Sequence, residues 1–299
     1  MPAEVSLVSP GFWLPLAAAV LFGGAAILMK RTGQWRIDIW RISFVSNLAT
    51  ALAFQLFLFE IDGLPELHLF WQPAVVAVLF IVGQVCTLIS LTEGEISVAA
   101  PALGLKIVFV PIFLSILQIA VLPGNMWLAC ALATLAVGLL NYTNQSEHRG
   151  RVLFSFLFAA AGAAAYAMFD ICVQQWVPAW KHGGFLPVMF AMSTLMSITF
   201  FRLFKSRLLA IPAAAWPYLG GSAVLFALQS LGIVCAIAWW RNAAAANVLY
   251  STRGLWSLLF LWFLGNRLGI QESGLSPRVF AIRLLGAALL MVAISLLLQ

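Results

Sequence analysis

Charge is what this 299-residue chain has least of: 9% of its residues are charged, against about 25% in an ordinary soluble domain. A water-soluble fold of this length needs far more polar surface, so that class is set aside. Histidine is scarce, and His68, His148 and His182 lie far apart in predicted loops. The four cysteines, Cys86, Cys130, Cys172 and Cys235, all fall inside apolar runs without a Cys-x-x-Cys or Cys/His spacing. They read as small apolar fillers rather than metal ligands, and no metal or cofactor is expected. No phosphate-binding GxxxxGKS/T loop occurs, which argues against ATP hydrolysis. Membrane enzymes cluster acids, histidines or cysteines at one membrane face; that cluster is missing here, so an enzyme is not expected. Residues 1–11 carry no Lys or Arg, so the start does not read as a cleavable signal and the first apolar run is expected to be a retained helix.

What is present is apolar sequence: 63% of residues are hydrophobic and the mean hydropathy is +1.02. Helices that are apolar all round need lipid as their solvent, and about 20 apolar residues cross the hydrocarbon once. Ten runs of suitable length are legible, at 12–30, 38–59, 72–92, 96–118, 124–142, 152–176, 184–204, 216–239, 243–264 and 279–298. Between them lie turn-forming stretches such as KRTGQWR, EIDGLPELH, NQSEHRGR and KHGG. The expected fold is an all-α membrane protein of ten transmembrane helices. The net charge of +6 is spread over loop edges rather than gathered in a basic domain, so no nucleic-acid partner is expected. Trp13, Trp40, Trp71, Trp127, Trp176, Trp180, Trp216, Trp239 and Trp240 fall near predicted helix ends, as an interfacial belt would. Trp256 and Trp262, inside the ninth run, are expected to face lipid.

The most polar central stretch, 143–151, divides the chain into five runs (1–142) and five runs (152–299). Five is odd, so the second set would enter the membrane inverted, as in many secondary transporters. An offset of 147 residues sets VAAPALGLKIVFVPIFL (Val98 to Leu114) beside AANVLYSTRGLWSLLFL (Ala245 to Leu261) and aligns Lys106 with Arg253. Loops on one side hold twelve Lys and Arg, among them Lys30, Arg31, Arg36, Arg41, Lys205 and Arg207, against Lys181 and Arg241 on the other. The positive-inside rule then puts both termini outside the cytoplasm.

Lys106 and Arg253 are the sharpest features, because a charge at mid-membrane costs about 2.5–3.5 kcal/mol on insertion scales and normally faces a cavity or a partner. Converging from two halves they would hold an anionic group, Arg offering a bidentate fork. The competing expectation is structural neutralisation by Asp170 or Glu95. Asp170, the one acid well inside an apolar run, is either a proton-coupling site or a counter-charge. Glu93 and Glu95 read as a tight solvated loop, or as a gate that neutralises Arg41; Arg41 itself is expected to snorkel to the interface. Asn247, Tyr250 and Arg253 share one face of the ninth helix, with Ser251 beside them. Pro101 and Pro111 are expected to break the fourth helix near Lys106, whereas the ninth has no proline. The small-residue run AAAGAAAYA (Ala159 to Ala167), with Gly23, Gly24, Gly83, Gly104, Gly138, Gly162 and Gly286, points to close helix packing.

The length, the 5+5 division, EGEISVAAPALGLKIVFVPIFLSIL at runs three to four and NAAAANVLYSTRGLWSLLFLWFLGN at run nine resemble the drug/metabolite transporter superfamily in its ten-helix, EamA-like form. The resemblance covers essentially the whole chain. It implies a cavity lined by helices four and nine, residence in the inner membrane, and export or exchange of metabolites. Its phosphate- and nucleotide-sugar-carrying branch is similar in placing basic side chains on those helices. It also implies both termini in the cytoplasm, against the charge bias. The expected function is a secondary carrier of a small anionic solute, phosphorylated or carboxylate, bound between Lys106 and Arg253. Exchange against a counter-substrate, or a coupling proton, would drive it. The alternative is an exporter of amino acids or other neutral amphipathic metabolites; a lipid-modifying membrane enzyme, a channel and a receptor are remote. Since 5+5 already supplies a pseudo-twofold pair, a monomer or weak homodimer is expected.

Overall fold

A computed structural model describes residues 10–60, 67–92, 102–140, 149–180, 184–264 and 277–297. Among them there are helices and turns and no strand. The α-helices are α1 (Pro10–Thr32), α2 (Ile39–Phe54), α3 (Trp71–Thr92), α4 (Lys106–Ile116), α5 (Gly124–Leu140), α6 (Arg149–Trp176), α7 (Phe185–Ser197), α8 (Trp216–Trp240), α9 (Ala243–Tyr250), α10 (Arg253–Leu264) and α11 (Pro277–Leu297). Short 3₁₀ turns extend α2 through Gln55–Glu60 and α7 through Ile198–Leu203. Among the described residues, six helical segments are long and apolar enough to cross a membrane: Gly11–Trp35, Ile39–Leu58, Trp71–Ser90, Val152–Trp180, Phe185–Leu203 and Ala213–Trp240. Lys106–Ile116, Gly124–Leu140 and Ala281–Leu296 are shorter apolar helices.

The outer surface is apolar along whole helix faces. Val75, Val78 and Val82 on α3, Leu153, Phe154 and Leu157 on α6, Val224 and Leu228 on α8, and Leu284, Leu285 and Met291 on α11 are all exposed. In water such stripes would be polar; a bilayer is the solvent they suit. The interior holds the polar groups instead, including Asp38, Asn47, Asp170, Gln174 and Asn247, together with many alanines. Without a water-driven hydrophobic term, packing relies on close backbone approach at small residues. A Cβ on Gly286 would lie 2.9 Å from the Ala136 carbonyl oxygen, which is where α11 meets α5. A Cβ on Gly162 would lie 3.2 Å from the Gly83 carbonyl oxygen, which is where α6 meets α3.

Neighbouring helices come in recurring combinations. α1 packs on α8 and α3 on α6; α2 packs on α8 and α3 on α7; α1 packs on α10 and α4 on α6; α2 meets α7 and α5 meets α11.

Several expectations need correcting. The ninth run, expected as one helix from 243 to 264, is two, α9 and α10, with a turn at Ser251 and Thr252. The connecting loop expected over 143–151 ends earlier, because Arg149 already opens α6. Arg41 does not snorkel. It is buried, its Nε donates to Asp38 Oδ2, and its Nη1 reaches the Arg207 carbonyl at 3.4 Å. Asp38 also caps α2, accepting from the Arg41 backbone N–H at 3.1 Å. Trp180, expected in the interfacial belt, is buried and donates to Gln72 Oε1 at 2.8 Å. Trp256 packs against the core rather than facing lipid. Glu93, Glu95, Pro101 and residues 98–100 lie outside the described residues.

Candidate functional site

Lys106 and Arg253 occupy equivalent local positions: each is the first residue of a helix that follows a tight turn. Before Lys106, the Leu105 N–H bonds the Ala102 carbonyl at 3.1 Å, followed by Ile107 to Gly104 at 3.1 Å, Val108 to Leu105 at 3.0 Å and Phe109 to Leu105 at 2.9 Å. The same four bonds recur 147 residues later: Thr252 to Leu249 at 3.3 Å, Gly254 to Ser251 at 3.4 Å, Leu255 to Thr252 at 2.9 Å and Trp256 to Thr252 at 3.2 Å. Both helix lines are therefore interrupted by i→i−3 turns, and neither turn contains proline. Pro111 lies inside α4 without ending it, so the expected contrast between a proline-broken fourth helix and an unbroken ninth does not hold. At the second turn the Ser251 and Thr252 hydroxyls bond back to Val248 and Leu249 carbonyls at 2.6 and 2.8 Å, a pattern that bends helices. Ser251, a substrate-contact candidate, spends its donor there.

A cation at the first turn of a helix opposes the usual preference, since that end carries the positive pole of the macrodipole. The two cations are compensated in different ways. Lys106 Nζ lies 2.7 Å from Asp170 Oδ2, with only 2% of the aspartate side chain exposed. Asn247 Nδ2 donates to the same Oδ2 at 2.6 Å and to its own helix at the Ala243 carbonyl, 2.8 Å away. Lys106 Nζ also stands 5.8 Å from the centre of the Tyr166 ring. Asp170 is thus the counter-charge of Lys106, joining α4, α6 and α9 at one point.

Arg253 has no carboxylate at ion-pair distance among the described residues. Its guanidinium lies beside two adjoining aromatic rings, 4.9 Å from the centre of Phe22 and 4.8 Å from that of Tyr250, inside the range of cation–π attraction. Those rings meet edge to face at 6.2 Å. The Tyr250 hydroxyl donates to Gln229 Oε1, and Gln229 Nε2 donates to Ser230 Oγ at 2.8 Å.

Two features fix this arrangement. Asp170 and Gln174, one turn apart on α6, reach Asn247 and Ala243, one turn apart on α9; Gln174 Oε1 accepts from the Ala243 N–H at 2.8 Å. On the other side, a Cβ on Gly23 would fall 2.9 Å from the Trp256 carbonyl carbon and 3.0 Å from the Ser257 nitrogen. Glycine lets α1 lie directly on the backbone of α10. The offset that relates Lys106 to Arg253 also relates Asp170 to Gly23, so the carboxylate of one side faces a glycine on the other.

Of the residues singled out from sequence, Lys106, Asp170, Asn247, Tyr250 and Arg253 gather here. Glu95 lies outside the described residues. Sequence reasoning missed Phe22, Tyr166, Gln174 and Gln229, which α1, α6 and α8 contribute; glutamine inside an apolar run was the available signal for two of them. Among the described residues no group of His, Cys, Asp and Glu is arranged to hold a metal.

No protein-family model and no curated protein matches the chain. Solved structures do share its fold. One, described only as "Crystal structure of protein", superposes with a TM-score of 0.61 at 15% identity, over 96% of this chain and 95% of that one. At that identity the likeness is one of fold, and it extends from end to end.

Proposed function

We propose that this chain is a secondary carrier of the ten-helix, EamA-like type, moving a small metabolite with an anionic group across the inner membrane by alternating access. The observation that carries this reading is a net-positive polar cluster, Lys106, Asp170, Asn247, Tyr250 and Arg253, at two matching helix interruptions inside an apolar bundle. Interrupted helices at the interface of repeats are where secondary transporters bind their substrates. A duplicated, inverted architecture of ten spans is supported by the four turn hydrogen bonds that recur at one offset. It is supported again by the eight most extensive helix packings: exchanging the first five helical units for the last five, with α9 and α10 as one unit, turns each of these pairs into another of them or itself. In this reading α4, α9 and α10 line the route, and the close glycine contacts are the surfaces along which the halves shift.

A second reading, export of amino acids or similar amphipathic metabolites, is favoured by the Lys106–Asp170 pair, which leaves Arg253 to hold a substrate carboxylate.

The test is a thermal-stability screen of the detergent-purified protein against phosphorylated sugars, carboxylates, neutral amino acids and inorganic cations. Uptake into proteoliposomes would follow with any stabiliser found. A ligand of the folded state at 100 times its Kd adds about 2.7 kcal/mol. Stabilisation by anionic or carboxylate-bearing solutes, lost in Arg253→Gln, is expected. Stabilisation by none of them, with no uptake, rules the carrier reading out.

A further inference from the structure

We infer that the site takes a ligand presenting a single negative charge, seated on Arg253, and discriminates against dianions. The inference rests on the carrier reading and narrows its substrate class. The lysine and aspartate are held at 2.7 Å; wherever the shared proton resides, that pair contributes no net charge. Asp170 is further committed by Asn247, so Lys106 is not available to a ligand unless that buried linkage opens. Among the described residues of the cluster, Arg253 is then the one charge without a counter-charge. Its two rings offer the negative faces of π systems and no formal charge. The place on α1 that corresponds to Asp170 is Gly23, and backbone contact with α10 leaves no room there for a side chain. The protein therefore does not supply the missing anion from that position. A carboxylate or other monovalent head group on Arg253 brings the cluster to neutrality, whereas a dianion leaves a surplus charge in a water-poor site.

The experiment compares pairs of similar size and different charge at pH 7 and constant ionic strength: butyrate against succinate, and benzoate against phthalate. Binding to the detergent-purified full chain is read by thermal shift and by titration. In the unmodified protein the monoanion of each pair is expected to bind about tenfold or more tightly. Asp170→Asn adds one positive charge and should reverse the preference. Because that variant risks misfolding, Lys106→Gln/Asp170→Asn serves beside it. This double variant removes the pair, keeps the net charge, and should retain the preference for monoanions even if its affinity falls. Arg253→Gln should lose both classes. Equal affinity for both members of each pair, or a preference unmoved by Asp170→Asn, overturns the inference while leaving an anion carrier standing. Absence of binding by any of the four probes overturns it as well, and the broader screen then decides whether the carrier reading survives.

Discussion

The surroundings of Lys106 and of Arg253 are two answers to one problem. Each side chain begins a helix after the same four-bond turn, yet one cation is paired with a carboxylate that an amide also holds, while the other lies beside two rings. Removing one partner of a buried ion pair strands the other charge, whereas an arginine held by π faces leaves no charge behind. The Lys106 side is closed by an ion pair, whereas the Arg253 side has no carboxylate at ion-pair distance among the described residues.

The largest expected effect tests that division. Lys106→Gln should lower unfolding stability by about 3–5 kcal/mol, because Asp170 loses its counter-charge, and chemical unfolding in mixed micelles measures it. Lys106→Gln/Asp170→Asn should recover much of the loss. Gly23→Ala comes next, at about 1–3 kcal/mol, since the new methyl group meets the Trp256 and Ser257 backbone as well as the Phe260 ring. The same change at Gly124, where a Cβ would meet nothing within 4 Å, serves as the control. Arg253→Gln should cost about 0.5–2 kcal/mol of stability, the range of a cation–π contact, while abolishing anion binding. If it proves as destabilising as Lys106→Gln, the division fails. The smallest effect belongs to Tyr250→Phe, which deletes the hydrogen bond to Gln229 and should cost about 0.6–1.7 kcal/mol, the range of interhelical bonds in membranes. Its ligand affinity should change more than its stability if the ring and hydroxyl position Arg253.

The helices were legible because apolar runs and turn residues are local signals, and Asp170 stood out as an acid where none belongs. The choice of Asp170 as the partner of Lys106 was not legible, since no spacing links residues on different helices. The interruption at Ser251 and Thr252 is not legible for a different reason: it contains no proline, and hydroxyl back-bonding and tertiary packing make the break without one. Arg41 offers the reverse lesson. Asp38 stands three residues ahead, at the start of a helix, so both the cap and the buried pair were readable from spacing alone. Phe22 and Gln229 belong to distant helices and became visible only once α1 and α8 were seen packed together.

The contacts on either side of the second helix interruption also differ in what motion they permit. α9 is pinned to α6 by two polar links a helical turn apart, which fix its axial register as well as its distance. α10 meets α1 at Gly23 and through the cation–π contact of Arg253 with Phe22, neither of which fixes the axial register as a directional hydrogen bond does. The turn at Ser251 and Thr252 thus joins a bolted segment to a bearing. A shear of α10 along α1 would be taken up as torsion at those two residues, with the rung between α6 and α9 left undisturbed.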